Sequence, residues 1–125
     1  MRFVLASSSP ARLQTLRKAG IEPEVISPDV DEDAVTATSP SALTAELARL
    51  KAEAVLAALG DVAEPTALVA CDSLLELDGR AWGKPQTEEA VVERWQRMRG
   101  RTASFHTGHQ VVVLDERGRR QVNRV

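Results

Sequence analysis

Short apolar runs alternate along the chain with stretches in which apolar residues return every three or four positions, a pattern that predicts an α/β fold. Arg2 to Ala6 reads as a strand. Ser7-Ser8-Ser9-Pro10 ends it and opens a helix with Leu13 and Leu16 on one face. Ser9 suits the N-cap, where its hydroxyl can accept a backbone N–H, and Pro10 suits the first helical position. Gly20 stops this helix, and Ile21 to Ile26 reads as a second short strand. Ser27 to Ser39 is loop-like. A second Ser-Pro start then opens a helix from Pro40 to Leu59, ended by Gly60. Leu43, Leu47, Leu50 and Ala54 form its expected apolar stripe, with Lys51 at the edge. Thr66 to Cys71 is a continuous apolar run, as in a strand buried on both faces, and Asp72 follows at its carboxyl end. Leu74 to Leu77 and Arg80 to Trp82 flank Asp78-Gly79 as a hairpin. Thr87 caps a third helix whose buried face is expected to be Val91, Trp95 and Met98. Thr102 to Leu114 reads as a long strand, Asp115 to Arg119 as a turn, and Gln121 to Val125 as a last strand. The expected architecture is a mixed twisted sheet with flanking helices in one domain spanning 1–125.

Composition narrows the function classes. With 125 residues there is room for one domain with a real core. The net charge of −2 and the scarcity of aromatics argue against a protein that chiefly grips nucleic acid. Cys71 is the single cysteine, so no internal disulfide forms, and a reducing compartment is expected. Neither a signal peptide nor a run of membrane-spanning length is visible. A soluble cytoplasmic protein is the expectation.

Several residues carry candidate chemistry. Three hydroxyls, free backbone N–H groups and Arg12 meet at the turn from the first strand into the first helix. A cation in a helix's first turn is mildly unfavourable unless an anion lies nearby, so the turn reads as a phosphate site. A capped helix with a solvated Arg accounts for the same residues. Asp29, Asp31, Glu32 and Asp33 repel one another, and a bound cation would relieve that; a solvated loop is the alternative. Asp72 shares a rim with Ser7 and Arg12 at the carboxyl ends of strands, where open α/β sheets bind ligands, or else caps a turn. Lys51 either snorkels to water or points into the site. Pro85 holds Lys84 extended and so aims it. His106 and His109 fall on opposite faces of a strand and do not read as a zinc pair.

The ordered set of these segments resembles the Maf family of nucleoside triphosphate pyrophosphatases, also called septum-formation inhibitors. The residues that carry the resemblance are Leu5-Ala6-Ser7-Ser8-Ser9-Pro10-Ala11-Arg12, Val30-Asp31-Glu32, Leu47-Ala48-Arg49-Leu50-Lys51-Ala52, Cys71-Asp72-Ser73, Leu77-Asp78-Gly79, Gly83-Lys84-Pro85, Gly100-Arg101-Thr102 and His106-Thr107-Gly108. The resemblance implies a Maf/ITPase-like fold whose C-terminal part is missing from this chain. It implies hydrolysis of a nucleoside triphosphate between the α- and β-phosphates, with Mg²⁺ or Mn²⁺, and a house-cleaning role against non-canonical nucleotides. Homodimers are common in the family. Carried over by residue, Asp72 is the catalytic candidate; Ser7, Arg12, Lys51 and Lys84 bind substrate; Glu32 and Asp72 hold metal. Asp72 stands as metal ligand, as general base, or as both. Ala11 departs from the family pattern by replacing the first Arg of a pair. Cys71-Asp72-Ser73 matches neither form associated with preference for dTTP and UTP or for methylated GTP. The other reading is a non-catalytic nucleotide- or phosphate-binding protein linked to cell division.

Overall fold

We describe the protein from a computed structural model covering residues 1–125. Its strands are β1 (Arg2–Ala6), β2 (Glu24–Val25), β3 (Thr66–Leu77), β4 (Arg80–Trp82), β5 (Ser104–Leu114) and β6 (Arg120–Arg124). The helices are α1 (Pro10–Lys18), α2 (Pro40–Leu59) and α3 (Glu88–Met98), with a single 3₁₀ turn at Glu32–Ala34. The sheet runs β2-β1-β3-β5-β6, with β4 also on β3. β1 is parallel to β2 and β3, whereas β3–β4, β3–β5 and β5–β6 are antiparallel, so the sheet is mixed as expected.

One feature of the register creates the site. β1 accompanies β3 only from Arg2↔Thr66 to Ala6↔Ala70. β4 takes over the same edge at Leu75↔Trp82. Between them, residues 71–74 of β3 pair only with β5, and the chain leaving β1 turns away across that gap. Asp72 therefore lies within a long strand and not at its carboxyl end. The polar pair Asp72-Ser73 does not break β3, because β5 continues alongside to Glu76↔Ser104.

The core lies between α2 and one face of the sheet. Val4, Leu68 and Val112 are directly opposed across three strands and fully buried, with Ala6 and Ala70 in the next row. Ala52 and Val55 of α2 close over them. The buried face of α2 is Thr44, Leu47, Ala48, Ala52 and Val55. Of the expected stripe only Leu47 is buried, so the helix is rotated toward its small residues. Alanine at 48 and 52 lets the helix axis approach the strands more closely than a leucine stripe would. This rotation places Lys51 within the buried face, not at its edge.

Other expectations are corrected at the ends of elements. β2 is two residues long and not six. Ser9 makes no side-chain cap; instead its own N–H donates to Ser7 Oγ at 3.1 Å. Ser39 and Thr87 do cap their helices, accepting from Ala42 and Ala90 N–H. α3 buries none of its residues, and Trp95 is 67% exposed. The expected buried face of Val91, Trp95 and Met98 therefore has nothing covering it. α3 is held instead through Trp82: the guanidinium groups of Arg94 and Arg97 lie 5.3 and 5.1 Å from its ring centroid, and Arg80 lies at 4.9 Å. Arg94 also donates to the Gly83 carbonyl. Each such cation–π contact contributes about 0.5–1 kcal/mol at an exposed position. Trp82→Ala is thus expected to speed amide exchange across α3 about tenfold while the exchange of β3 and β5 stays unchanged.

Candidate functional site

The gap beside residues 71–74 of β3 opens into a cleft of about 1160 Å³. Ser7, Arg12, Glu32, Lys51, Asp72 and Lys84 all line it, together with residues the sequence did not single out. Three elements supply the floor. β1 ends at Ala6, which leaves Ser7 buried beside β3. Asp72 follows Leu68 and Ala70 on the face of β3 that meets α2, so it continues the core row and is only 6% exposed. Lys51 reaches it from α2. Side chains on a helix lean toward its N-terminus, and Lys51 leans back over the turn that bears Leu47 and Ala48.

Gly108 brings α2 to this height. It pairs with Asp72 on β5, and the α2 backbone lies directly on it. A Cβ at residue 108 would stand 2.5 Å from the Thr44 carbonyl carbon and oxygen and 2.7 Å from Ala45 N. No L side chain fits there. Thr44 and Lys51 are seven residues apart and so share a helix face. The Gly108 seat therefore also sets the reach of Lys51.

Lys51 Nζ donates to Asp72 Oδ1 at 2.5 Å and lies 2.6 Å from Glu32 Oε1. One ammonium thus bridges two carboxylates. Burial alone would lower the Lys51 pKa, but hydrogen bonds to Asp72 and Glu32 outweigh it and hold the group above its usual range. Asp72 is also pushed up: burial dominates, Lys51 partly offsets it, and the Glu32 charge adds to the rise. The two rises differ in origin: the Asp72 shift comes first from burial, and the Lys51 shift comes from its hydrogen bonds to the two carboxylates, which overcome burial.

A second network lies on the opposite face of β3. Arg12 Nη2 donates to Ser73 Oγ at 3.1 Å, and Ser73 Oγ is 2.9 Å from Thr107 Oγ1. Arg12 Nη1 also reaches Ser7 Oγ at 3.4 Å. The guanidinium is thereby fixed at the mouth of the α1 N-terminus. Lys84 lines the cleft as an exposed residue of the Gly83-Lys84-Pro85 turn that Arg94 tethers to α3. Sequence reasoning missed Ser73, Thr107 and Arg94. Ser73 and Thr107 had a signal, since they stand in the quoted Cys71-Asp72-Ser73 and His106-Thr107-Gly108; Arg94 had none.

The donor chemistry bears on a metal. Glu32 and Asp72 aim hard oxygens at one cationic point, now taken by the Lys51 ammonium. Mg²⁺ is typically held by one or two carboxylates, with phosphate and water completing the shell, so this pair fits such an ion. The wider acidic loop does not converge on a site of its own: no group of three or more His, Cys, Asp or Glu residues gathers anywhere in the chain. His106 pairs with Glu76 at 2.6 Å and stands apart from the cluster. Cys71 is buried, and burial raises its pKa. No helix is long and apolar enough to cross a membrane.

Fold and cleft together define an α/β protein with a polar, cation-lined cleft at the end of its first strand. Comparison with known proteins gives this class a family. The family model described as Maf-like protein matches residues 2–125, and the chain belongs to that family. It is 49% identical over 113 residues to a nucleoside triphosphate pyrophosphatase of Salinispora tropica, a match that covers 90% of this chain and 50% of that protein. A protein of the same description from Saccharopolyspora erythraea is 52% identical over 119 residues, covering 91% of this chain and 56% of its own length. The chain therefore spans about half the length of the curated relatives it matches. Among solved structures, the Staphylococcus aureus Ham1 protein superposes with a TM-score of 0.50 at 21% identity, over 99% of this chain and 68% of that one. That likeness shows a shared fold.

Proposed function

We propose that the cleft binds a nucleoside triphosphate with a divalent metal and hydrolyses it to a nucleoside monophosphate and pyrophosphate. The observation that carries this is the convergence of Glu32 and Asp72 on the Lys51 ammonium, at 2.6 and 2.5 Å, in the cleft that Arg12 also lines. The description of the relatives as nucleoside triphosphate pyrophosphatases supports it.

The roles follow from position. Ser7 and the backbone N–H groups at the start of α1 hold phosphate oxygens. Arg12 binds the same end of the ligand, and its link to Ser73 keeps the planar guanidinium oriented for bidentate contact. Lys84, exposed in the same cleft, adds a third cation for the phosphate chain. The Lys51 side chain is only 13% exposed. It offsets charge that builds on the transferring phosphoryl oxygens, where exclusion of water makes it most effective. Glu32 and Asp72 would hold the metal, Mg²⁺ or Mn²⁺, whose chemistry is to draw charge from phosphate oxygens and acidify bound water. Asp72, with its pKa raised by burial, accepts the proton of the attacking water. The water oxygen bonds to phosphorus as the bridging α–β P–O bond breaks, and pyrophosphate leaves. Removal of non-canonical nucleotides is the role we assign to this reaction.

The test is pyrophosphate release from a panel of canonical and modified nucleoside triphosphates with Mg²⁺ or Mn²⁺. Release with a one-to-one yield of monophosphate is expected. Tight binding with no release from any member of the panel would overturn catalysis and leave a nucleotide-binding protein.

A further inference from the structure

The six expected site residues are charged or hydroxylic, and none of them provides a surface for a base. Phe105 does. It lines the cleft and is 70% exposed, the chain's most exposed aromatic side chain. Its neighbours are fixed by register. Phe105 of β5 opposes Leu75 of β3, and Leu75 opposes Trp82 of β4. Directly opposed residues point to the same face of a sheet, so these three form an apolar row across the cleft wall. Ser73 and Thr107 form the next row on that face, two residues along. That is the row that holds Arg12. At about 3.3 Å per residue, Phe105 stands about 7 Å along the strands from the Arg12 anchor. Phosphates at Arg12 and a ring over Phe105 are thus separated by about one sugar.

Trp82 is the other aromatic of the row, but its ring is already flanked by Arg80, Arg94 and Arg97. The cation–π contacts all fall on Trp82, which leaves the Phe105 ring open. We infer that Phe105 is the nucleobase-stacking residue of this cleft. The inference rests on the nucleotide reading above and extends it. The ligand is gripped at two ends, by cations on the phosphates and by an aromatic face on the base. Stacking on an aromatic ring is worth about tenfold or more in affinity per base and tolerates different bases, so Phe105 sets affinity for nucleosides as a class.

The experiment compares the unaltered protein with Phe105→Ala and Phe105→Trp. Binding is measured by calorimetry with Mg²⁺, using the α,β-methylene analogues of ATP and UTP and, separately, inorganic tripolyphosphate. Phe105→Ala is expected to weaken both nucleotide analogues about tenfold and to leave tripolyphosphate unchanged. Phe105→Trp restores or exceeds the original nucleotide affinity. Because Phe105 is exposed, its loss leaves the fold intact, and an unchanged unfolding midpoint checks this. Equal nucleotide affinity in Phe105→Ala and the unaltered protein overturns the inference, as does equal weakening of nucleotide and tripolyphosphate. So does an exposed Phe105 that serves another copy of the chain, seen as a sedimentation change in Phe105→Ala without an affinity change. Tripolyphosphate binding with no preference for nucleotide overturns Phe105 and leaves the phosphate site standing. Absence of all binding overturns the nucleotide reading itself, and the role of Phe105 with it.

Discussion

Asp72→Asn is expected to lower pyrophosphate release by about 10³-fold while leaving the fold as stable as before or more so. The loss of activity follows from removing both a proton acceptor and one of two converging carboxylates. The gain in stability follows from charge. Asp72 lies at 6% exposure with its pKa raised, so at neutral pH the folded protein carries an ionised carboxylate in a site that disfavours it. A group whose pKa is higher in the folded than in the unfolded chain stabilises the fold at low pH. That contribution is lost as pH rises through the folded value. The neutral amide escapes that loss. It leaves Lys51 paired with Glu32 at 2.6 Å, so no ammonium is stranded. The stability difference between the variant and the unaltered chain is expected to shrink on acidification toward the ordinary carboxylate range. Urea unfolding in chelator at neutral and acid pH measures it. A variant less stable than the unaltered chain at neutral pH would show that the Lys51–Asp72 pair is a net support of the fold.

Much of this site was legible in the chain. The strand-turn-helix of residues 2–18, the long helix 40–59 and the candidate residues Ser7, Arg12, Glu32, Lys51, Asp72 and Lys84 all come from sequence, and the six line one cleft. What stayed hidden has physical causes. The Val91, Val92 and Trp95 side of α3 is amphipathic, but a hydrophobic period cannot tell whether a partner surface exists, and here none covers it. The stripe of α2 is read from its leucines, yet Leu47 alone of them is buried, with Thr44, Ala48, Ala52 and Val55 completing the face, because close approach to β3 and β5 matters more than side-chain size. Asp72-Ser73 looked like the end of a strand because both residues are polar. In the fold each has a partner of its own, Lys51 for one and Arg12 with Thr107 for the other. Phe105 is a single aromatic in a strand pattern, and only register shows that it shares a face with Ser73.

Gly108 is the least legible of these positions, and its substitution is expected to have the largest effect on the fold. Its backbone is not in the left-handed region, so nothing in local conformation demands glycine. The demand comes from α2, whose Thr44 and Ala45 backbone atoms occupy the space a Cβ would need. Those atoms belong to a helix, not to the far end of a flexible side chain, so they yield only if the whole helix moves. Insertion of a methyl group into packed structure costs about 1–3 kcal/mol where neighbours can adjust, and Gly108→Ala belongs at or above the upper end. A fall of about 10 °C in Tm is the corresponding thermal effect. Gly83→Ala is the control for stability: nothing lies within 4 Å of its Cβ position, and its midpoint should hardly move. The consequence for function runs through the same helix. Lifting α2 off β5 at Thr44 draws Lys51 away from Asp72, because both residues lie on one helix face two turns apart. Whatever fraction of Gly108→Ala folds should therefore show a lowered rate of pyrophosphate release. Its affinity for tripolyphosphate at the Ser7 and Arg12 end should be less affected. A variant as stable and as active as the unaltered chain would mean that α2 can sit elsewhere on the sheet, and that the Lys51–Asp72 distance is not set by Gly108.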